Sequence, residues 1–194
     1  MGKIFYVMGK SSSGKDTIFK RIREELPELH TILLYTTRPI REGEKDGVEY
    51  YFTDEAKREE LERAGKLIES RTYDTVHGKW SYFTADDGQI DLTKASYLVI
   101  GTLVSYEKMK QYFGADEIVP IYIEVEDGER LSRALLRERQ QAHPKYAEMC
   151  RRFLADTEDF SEENLKKCGI THRYDNRNIE ECIKEIILGI RSKL

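Results

Sequence analysis

Seven residues near the start of the chain have the types and spacing needed to hold phosphate groups. The run Gly9-Lys10-Ser11-Ser12-Ser13-Gly14-Lys15 matches the pattern G-x-x-x-x-G-K. In this pattern the glycines let backbone N–H groups approach an anion closely, and the lysine reaches the outer phosphates of a nucleotide. The alternative is a Ser/Gly turn that only joins a strand to a helix. Because strand-like sequence precedes the run and helix-like sequence follows it, we predict a phosphate-binding loop.

Asp16 follows the loop lysine at the position where this pattern usually has Ser or Thr, and Thr17 comes one residue later. The usual hydroxyl binds Mg²⁺, and Mg²⁺ accepts a carboxylate readily, so Asp16 is a candidate ligand, directly or through water. An acidic residue in the first turn of a helix also interacts favourably with the helix dipole, so Asp16 could instead only cap the helix. The sequence leaves both interpretations open.

A second candidate anion site follows the next predicted strand. Arg38 and Arg41 are three residues apart, and Tyr50 comes nine residues after Arg41. Guanidinium groups bind phosphate through paired donors, and a tyrosine hydroxyl can add a further hydrogen bond. The spacing therefore predicts that two phosphate-bearing ligands bind to this chain.

Residues 36–52 read TTRPIREGEKDGVEYYF. This segment resembles the guanylate kinase family, whose signature T-T-R-x-x-R-x-G-E-x-x-G-x-x-Y-x-F it matches at every fixed position. The resemblance extends over nearly the whole chain. It implies an Mg²⁺-dependent transfer of the γ-phosphoryl group of ATP to a nucleoside monophosphate, with GMP favoured as the acceptor.

The resemblance also implies roles for individual residues. Glu69 matches the glutamate that reads the guanine edge, although a glutamate on a strand is more often an exposed carboxylate. Tyr82 is the best match for a phosphate-binding tyrosine, and Thr84 for a guanine-facing hydroxyl. The implied GMP-binding set is Arg38, Arg41, Tyr50, Glu69, Tyr82 and Thr84. The implied ATP-binding set is Gly9, Lys10, Ser11, Ser12, Ser13, Gly14, Lys15, Asp16, Thr17, Arg133 and Asn176.

A helical lid is the third part of the resemblance. Arg133 and Arg137 are spaced i, i+4 and share a helical face, and Arg152 matches an arginine of the next helix. Such arginines close over ATP in the family, although arginines on these helices could equally be solvated. Asn176 matches an asparagine near the adenine, or is a turn residue. The implied catalytic residues are Lys15, Arg38, Arg137 and Arg152, whereas Arg130, Arg139 and Arg151 are expected to be solvated.

Several positions depart from the family pattern. Leu34 replaces a serine near the guanine, Phe83 replaces a glycine, and residues are inserted near His77. Val99 and Gly101 stand where the family has aspartates that face the nucleotides and Mg²⁺. These departures keep two alternatives open: a kinase with another monophosphate acceptor, and a binding module with weak activity. Asp16 could partly replace the missing strand carboxylates.

The elements that must position these residues alternate along the chain. Strands are predicted at 3–8, 31–35, 97–101, 119–125 and 170–174, with helical or mixed sequence between them, which favours a parallel sheet flanked by helices. The resemblance makes this α/β unit a P-loop kinase fold. We expect one domain with a core at 1–35, 95–138 and 158–194, a mixed α+β nucleotide-binding insertion at 36–94, and a lid at 139–157.

Composition limits the classes of function. The chain has 194 residues, of which 39% are hydrophobic, so a packed core is expected rather than disorder. A net charge of -4 argues against general nucleic-acid binding. No apolar run is long enough to span a membrane, and three cysteines without C-x-x-C spacing favour a reducing cytoplasm. The oligomeric state is not indicated.

Overall fold

The computed structural model describes residues 1–75 and 78–194. Within these residues the elements follow one another as β1 (Ile4–Met8), α1 (Lys15–Glu25), β2 (His30–Thr31), β3 (Tyr35–Thr36), β4 (Tyr51–Phe52), α2 (Glu55–Arg63), β5 (Leu67–Thr75), β6 (Gly78–Ala85), β7 (Tyr97–Ile100), α3 (Leu103–Phe113), β8 (Ile118–Glu124), α4 (Asp127–Arg139), α5 (Tyr146–Asp159), α6 (Glu162–Lys167), β9 (Tyr174–Asp175) and α7 (Ile179–Arg191).

The described strands of the main sheet are all parallel and have the order β2-β7-β1-β8-β9. All residues of β1 are buried, as expected for a central strand covered on both faces. Phe5 and Val7 pack in one apolar cluster with residues of α1 and α7. Tyr6 and Met8 pack in the other cluster with residues of α3 and α6. The predicted α/β architecture is therefore confirmed.

Two strand predictions were wrong in their bounds. The apolar run 31–35 is not one strand, because β2 pairs with β7 in the main sheet whereas β3 pairs with β4 and β6 in a second sheet. Ile32 and Leu34, between them, are nevertheless buried. The last strand of the sheet is Tyr174–Asp175 instead of 170–174, although Ile170 is buried as well. At these positions the apolar residues indicate burial, although they lie outside the strands.

The second sheet has the order β4-β3-β6-β5 in the described residues and combines parallel and antiparallel pairs. Leu61 of α2 packs with Phe83 and Ala85 against one face of this sheet. Glu69 pairs with Thr84, and Arg71 pairs with Tyr82. Since alternate residues of a strand share a face, these four side chains lie on one face of the sheet. The mixed insertion was predicted, and its face beside the candidate site carries these residues.

Two predictions about where helices begin and end are confirmed. Residues 140–145 form the non-helical connection between α4 and α5, where the lid tip was expected. Asn178 caps α7 by accepting hydrogen bonds from the backbone N–H groups of Glu180 and Glu181, and Cys182 lies in the buried apolar stripe of that helix. The division into core, insertion and lid at the stated boundaries stays a prediction. Among the described helices, none combines the length and apolar character that a membrane span requires.

Candidate functional site

The phosphate loop joins β1 to α1, and its backbone could not take this course with other residues at two positions. Gly14 has φ +87° at the N-cap of α1, and Ser12 has φ +65°. A Cβ at Gly9 would lie 2.6 Å from the Ile123 carbonyl oxygen. The glycines of the motif are therefore required by close backbone approach and by a left-handed conformation. The positive end of α1 follows directly, as an anion site requires.

Asn176 braces this loop from the carboxyl end of β9. Its side-chain amide donates a 2.8 Å hydrogen bond to the Ser13 carbonyl, and its backbone N–H donates to the Glu124 carbonyl. A Cβ added at Gly14 would lie 2.4 Å from the Asn176 Nδ2 atom. Asn176 is thus buried against the loop rather than in a solvent-exposed turn, and a contact with adenine stays a prediction.

Polar groups of the loop are left for a ligand. The hydroxyls of Ser12 and Ser13 are buried and have no hydrogen-bond partner among the described residues. The Lys15 ammonium lies 3.6 Å from the Asp16 carboxylate, which is 80% exposed. The N-cap of α1 is Gly14, without a side-chain cap. Asp16 therefore does not cap α1 but lies exposed and paired with the lysine that the motif supplies, and Thr17 is exposed next to it.

Arg38 is the centre of the second anion site. It is only 3% exposed, and both of its terminal nitrogens donate to Glu44, at 2.8 and 3.0 Å. Glu44 also accepts from the Arg41 backbone N–H. The Arg38 hydrogen bond keeps the pKa of Glu44 below its usual range. Burial alone would lower the pKa of Arg38, but Glu44 and the nearby Tyr82 outweigh this effect and raise it. Sequence reasoning missed Glu44, although it is a fixed position of the signature.

Tyr50 connects the two anion sites. The ring centres of Tyr50 and Tyr82 are 5.8 Å apart. The guanidinium carbon of Arg38 lies 5.7 Å from the centre of the Tyr50 ring. Burial raises the pKa of the Tyr50 hydroxyl, with smaller contributions from Tyr82 and from the carboxylate of Asp16. The carboxylate of Asp16 is thus near enough to Tyr50 to contribute to this shift. Arg41 is exposed.

Glu69 lies at the other end of the acceptor side and is not an exposed strand carboxylate. It is 2% exposed and accepts a 2.9 Å hydrogen bond from the Thr84 hydroxyl. Arg71 donates to both of its oxygens, from Nε at 3.1 Å and from Nη2 at 3.4 Å. Sequence reasoning missed Arg71; the available signal was its position two residues after Glu69, on the same face of a strand.

The missing strand aspartates have a structural counterpart. A Cβ at Gly101 would lie 2.0 Å from the Tyr6 hydroxyl, which is hydrogen-bonded to Ser105 at 2.6 Å in the buried core. Tyr6 therefore fills the space that a side chain at position 101 would need. Val99 and Leu34 are both buried in the apolar core. Of the insertion expected around residues 74–77, Asp74 and Thr75 belong to β5 and the other two residues lie outside those described.

The lid arginines occupy different environments. Arg133 donates to the Asn176 carbonyl and to Glu129, so it reaches the phosphate loop region. Arg152 is exposed and paired with Glu148. Arg137 is exposed on α4. Among the described contacts, Arg137 and Arg152 are not brought to the loop, so their catalytic roles stay predictions.

The expectation that Arg130 is solvated was wrong. Arg130 is 1% exposed and stacks on Phe153 of α5 at 4.0 Å. It pairs with Asp127, which also binds Lys10 of the phosphate loop at 3.2 Å. Asp156 of α5 accepts a 2.7 Å hydrogen bond from the Ser11 backbone N–H. These contacts attach both lid helices to the outer side of the loop, which helix periodicity alone does not reveal.

The residues present fit an Mg²⁺ ion that arrives with a nucleotide. Within residues 1–75 and 78–194 no group of three or more candidate ligands converges. A nucleotide-bound Mg²⁺ needs only one or two protein carboxylates in addition to phosphate oxygens and water. Asp16, whose exposed carboxylate lies beside Lys15, meets that requirement.

A parallel sheet with a phosphate loop after its central strand, a mixed insertion and a helical lid defines a P-loop kinase fold. Residues 1–83 match the family model described as guanylate kinase. Over 78 residues the chain is 37% identical to guanylate kinase from Mycobacterium bovis, covering 40% of this chain and 36% of that protein. Guanylate kinase from Thermobifida fusca is 42% identical over 67 residues, 34% of each chain. The matched region thus spans about a third of these relatives' length.

The fold comparison covers more of the molecule. The crystal structure of guanylate kinase from Anaplasma phagocytophilum matches with a TM-score of 0.66, covering 99% of this chain and 86% of that chain at 21% identity. At this identity the match shows the fold alone. Residues 1–83 are thus similar in sequence to guanylate kinases, and the chain as a whole shares the fold of one.

Proposed function

We propose that the protein transfers the γ-phosphoryl group of ATP to a nucleoside monophosphate, the conversion of GMP to GDP being the reaction that the family similarity favours. One observation carries the proposal: the phosphate loop keeps the buried Ser12 and Ser13 hydroxyls without a partner among the described residues, and the same chain holds a buried Arg38 guanidinium fixed by Glu44. Phosphoryl transfer requires two anionic ligands held in line, with cations on the developing charge.

The donor half has the groups that hold a triphosphate. Backbone N–H groups of the loop, the Ser12 and Ser13 hydroxyls and the Lys15 ammonium converge at the N-terminus of α1, where the helix dipole favours negative charge. Lys15 would neutralise charge on the transferred group. Arg133 already lies beside the loop through Asn176. Arg137 and Arg152 would add charge from the lid on closure, and Arg152 would exchange Glu148 for a phosphate oxygen.

The acceptor half would hold the monophosphate with Arg38, Arg41, Tyr50 and Tyr82. Glu44 fixes the Arg38 guanidinium by a bidentate contact, so little side-chain entropy remains to be lost on binding. The acceptor phosphate oxygen itself is the nucleophile, so no covalent enzyme intermediate is needed. Closure of the lid would exclude water, which otherwise competes as acceptor.

Asp16 would hold Mg²⁺, alone or through water, while the phosphates of ATP supply the other oxygens. When bound, this ion would neutralise charge on the bridging phosphates. The carboxylates that the family places at positions 99 and 101 are absent, so Asp16 carries this role on the protein side. The expected division into core, insertion and lid, and the cytoplasmic location, remain parts of the same proposal.

A different monophosphate acceptor is the second candidate. One observation favours it: the Arg71 guanidinium donates hydrogen bonds to both oxygens of the Glu69 carboxylate, the group expected to read guanine. A binding module without activity is disfavoured, because Gly14 and Lys15 of the loop are intact and the loop geometry is complete. We expect turnover rather than binding alone.

Formation of ADP tests the proposal. Purified protein with ATP and Mg²⁺ is assayed against GMP, dGMP, AMP, CMP, UMP, IMP and XMP. Lys15→Met should lower kcat by at least about 100-fold, as loss of one charged group on a developing charge does. Lys20→Met, an exposed lysine of the same helix, is the matched control and should leave kcat unchanged. Absence of turnover with every acceptor contradicts the kinase proposal.

A further inference from the structure

The acceptor pocket ends in a buried ion pair. Glu69 is buried, and the Arg71 side chain covers it while remaining 14% exposed itself. Burial alone would lower the pKa of Arg71, but the nearby Glu69 carboxylate outweighs this effect and raises it. Arg71 therefore stays charged, and because its side chain covers the buried Glu69 carboxylate, a ligand that enters the site meets the guanidinium first.

The hydrogen-bond capacity of this pair differs from that of a free glutamate. A carboxylate has about four acceptor sites. Those of Glu69 already receive the Thr84 hydroxyl and two Arg71 nitrogens. The guanidinium carries five N–H groups, and contacts to Glu69 and to the Thr102 hydroxyl engage three of them within the described residues. The pair offers mainly donors to a ligand, not acceptors.

Neighbouring residues hold Arg71 in this arrangement. Nη1 donates to the Thr102 hydroxyl at 3.0 Å, and Thr102 caps α3 together with Ser105. Ser105 in turn is hydrogen-bonded to the buried Tyr6 hydroxyl, which fills the space beside Gly101. The residues that close the space beside Gly101 therefore belong to the same hydrogen-bonded network as Arg71.

We propose that Arg71 is a specificity-determining residue that makes the pocket select a carbonyl oxygen, rather than an amino group, at position 2 of a purine monophosphate. Guanine presents its N2 amino group as a donor, and the paired Glu69 has little capacity left to accept it. Xanthine has a carbonyl at the same position, which the free N–H groups of Arg71 can donate to. The inference rests on the proposed acceptor site, and of the two candidate functions it favours the second, a monophosphate acceptor other than GMP.

GMP, IMP and XMP form a matched series for the test, because they differ at position 2 by an amino group, a hydrogen and a carbonyl. Binding of each nucleotide without ATP is measured by calorimetry, and kcat/KM is measured with ATP and Mg²⁺. For the unaltered protein we expect both the affinity and the kcat/KM for XMP to exceed those for GMP by about tenfold or more, which is the effect of one hydrogen bond to a charged group. The affinity and the kcat/KM for IMP should be at least as high as those for GMP.

Arg71→Ala should release Glu69 and reverse this order, so that GMP becomes the preferred nucleotide of the series. Arg63→Ala, an exposed arginine of α2, is the control and should leave the order unchanged. A wild-type preference for GMP over both IMP and XMP overturns the inference, and this outcome requires no folded variant. An order that is the same in wild type and in a folded Arg71→Ala protein also overturns it. Selective binding of XMP without ADP formation would support the specificity role and contradict the kinase proposal, whereas no binding of any of the three contradicts both.

Discussion

Replacing Gly101 by alanine should destabilise the protein because Tyr6 already occupies the space for a side chain. The added Cβ would lie 2.0 Å from the Tyr6 hydroxyl oxygen, 2.9 Å from its Cζ atom and 3.0 Å from the Ser105 hydroxyl. Tyr6 is a fully buried ring on the central strand and cannot turn away without moving its neighbours. The position that carries an aspartate in the family is therefore closed here.

The magnitude follows from the packing. Overfilling a close-packed core costs about 1–3 kcal/mol, and a 2.0 Å overlap on a buried ring calls for about 3. Tyr6→Phe removes the overlapping oxygen and one hydrogen bond to Ser105, which costs about 1 kcal/mol by itself. If the effects were independent, Tyr6→Phe/Gly101→Ala would cost about 4 kcal/mol. Since the overlap is largely relieved, we expect about 2 kcal/mol, a coupling of about 2 kcal/mol.

Urea unfolding followed by circular dichroism gives the free energy of unfolding of each variant by linear extrapolation. Tyr122→Phe is the control, because Tyr122 is an equally buried tyrosine that lies further from the added methyl group than Tyr6 and Ser105 do. Its effect should add to that of Gly101→Ala within about 0.5 kcal/mol. Equal additivity for Tyr6→Phe would refute the reasoning that Tyr6 closes this position.

Three further predictions concern the two anion sites. Asp16→Ala should lower kcat far more than Asp16→Ser, with partial rescue by extra Mg²⁺, because a hydroxyl can still bind the ion; equal and mild effects would exclude a ligand role. The hydrogen bond from Arg38 holds the pKa of Glu44 below the usual range of a glutamate, so this pair stabilises the fold above that range and loses its effect as the pH falls through the lowered pKa. Glu44→Gln should therefore show a flatter loss of unfolding free energy with acid than wild type, and parallel curves would contradict this. Asn176→Ala leaves the buried Ser13 carbonyl unpaired and should cost about 1–3 kcal/mol in urea unfolding, with weaker ATP binding by calorimetry; an unchanged midpoint would show that the loop does not need this support.

The parts of the site that the sequence predicted are local in the chain. The phosphate loop from Gly9 to Lys15 needs glycine at fixed positions for backbone reasons, and a strand and helix must flank it, so a short pattern suffices. The segment from Thr36 to Phe52 likewise keeps its arginines and tyrosine at fixed spacing. The alternation of strands and helices predicted the parallel sheet, because apolar periodicity reports burial.

The parts that the sequence did not predict depend on residues far apart in the chain. Arg130 looked like any exposed helix arginine, and only the packing of α4 on α5 buries it against Phe153. The split of the apolar run 31–35 between two sheets depends on which strands are available to pair.

The residue patterns predict the α/β fold, the phosphate loop with Lys15 and a candidate second anion site, because each pattern depends on neighbours within a few residues. The tertiary structure shows in addition that Arg71 donates hydrogen bonds to Glu69 and that Tyr6 fills the space beside Gly101. Contacts with a distant helix control both features, because Thr102 at the start of α3 holds Arg71 beside Glu69 and Ser105 of α3 is hydrogen-bonded to Tyr6. The network around Arg71 and Tyr6 is therefore set by tertiary contacts rather than by local motifs.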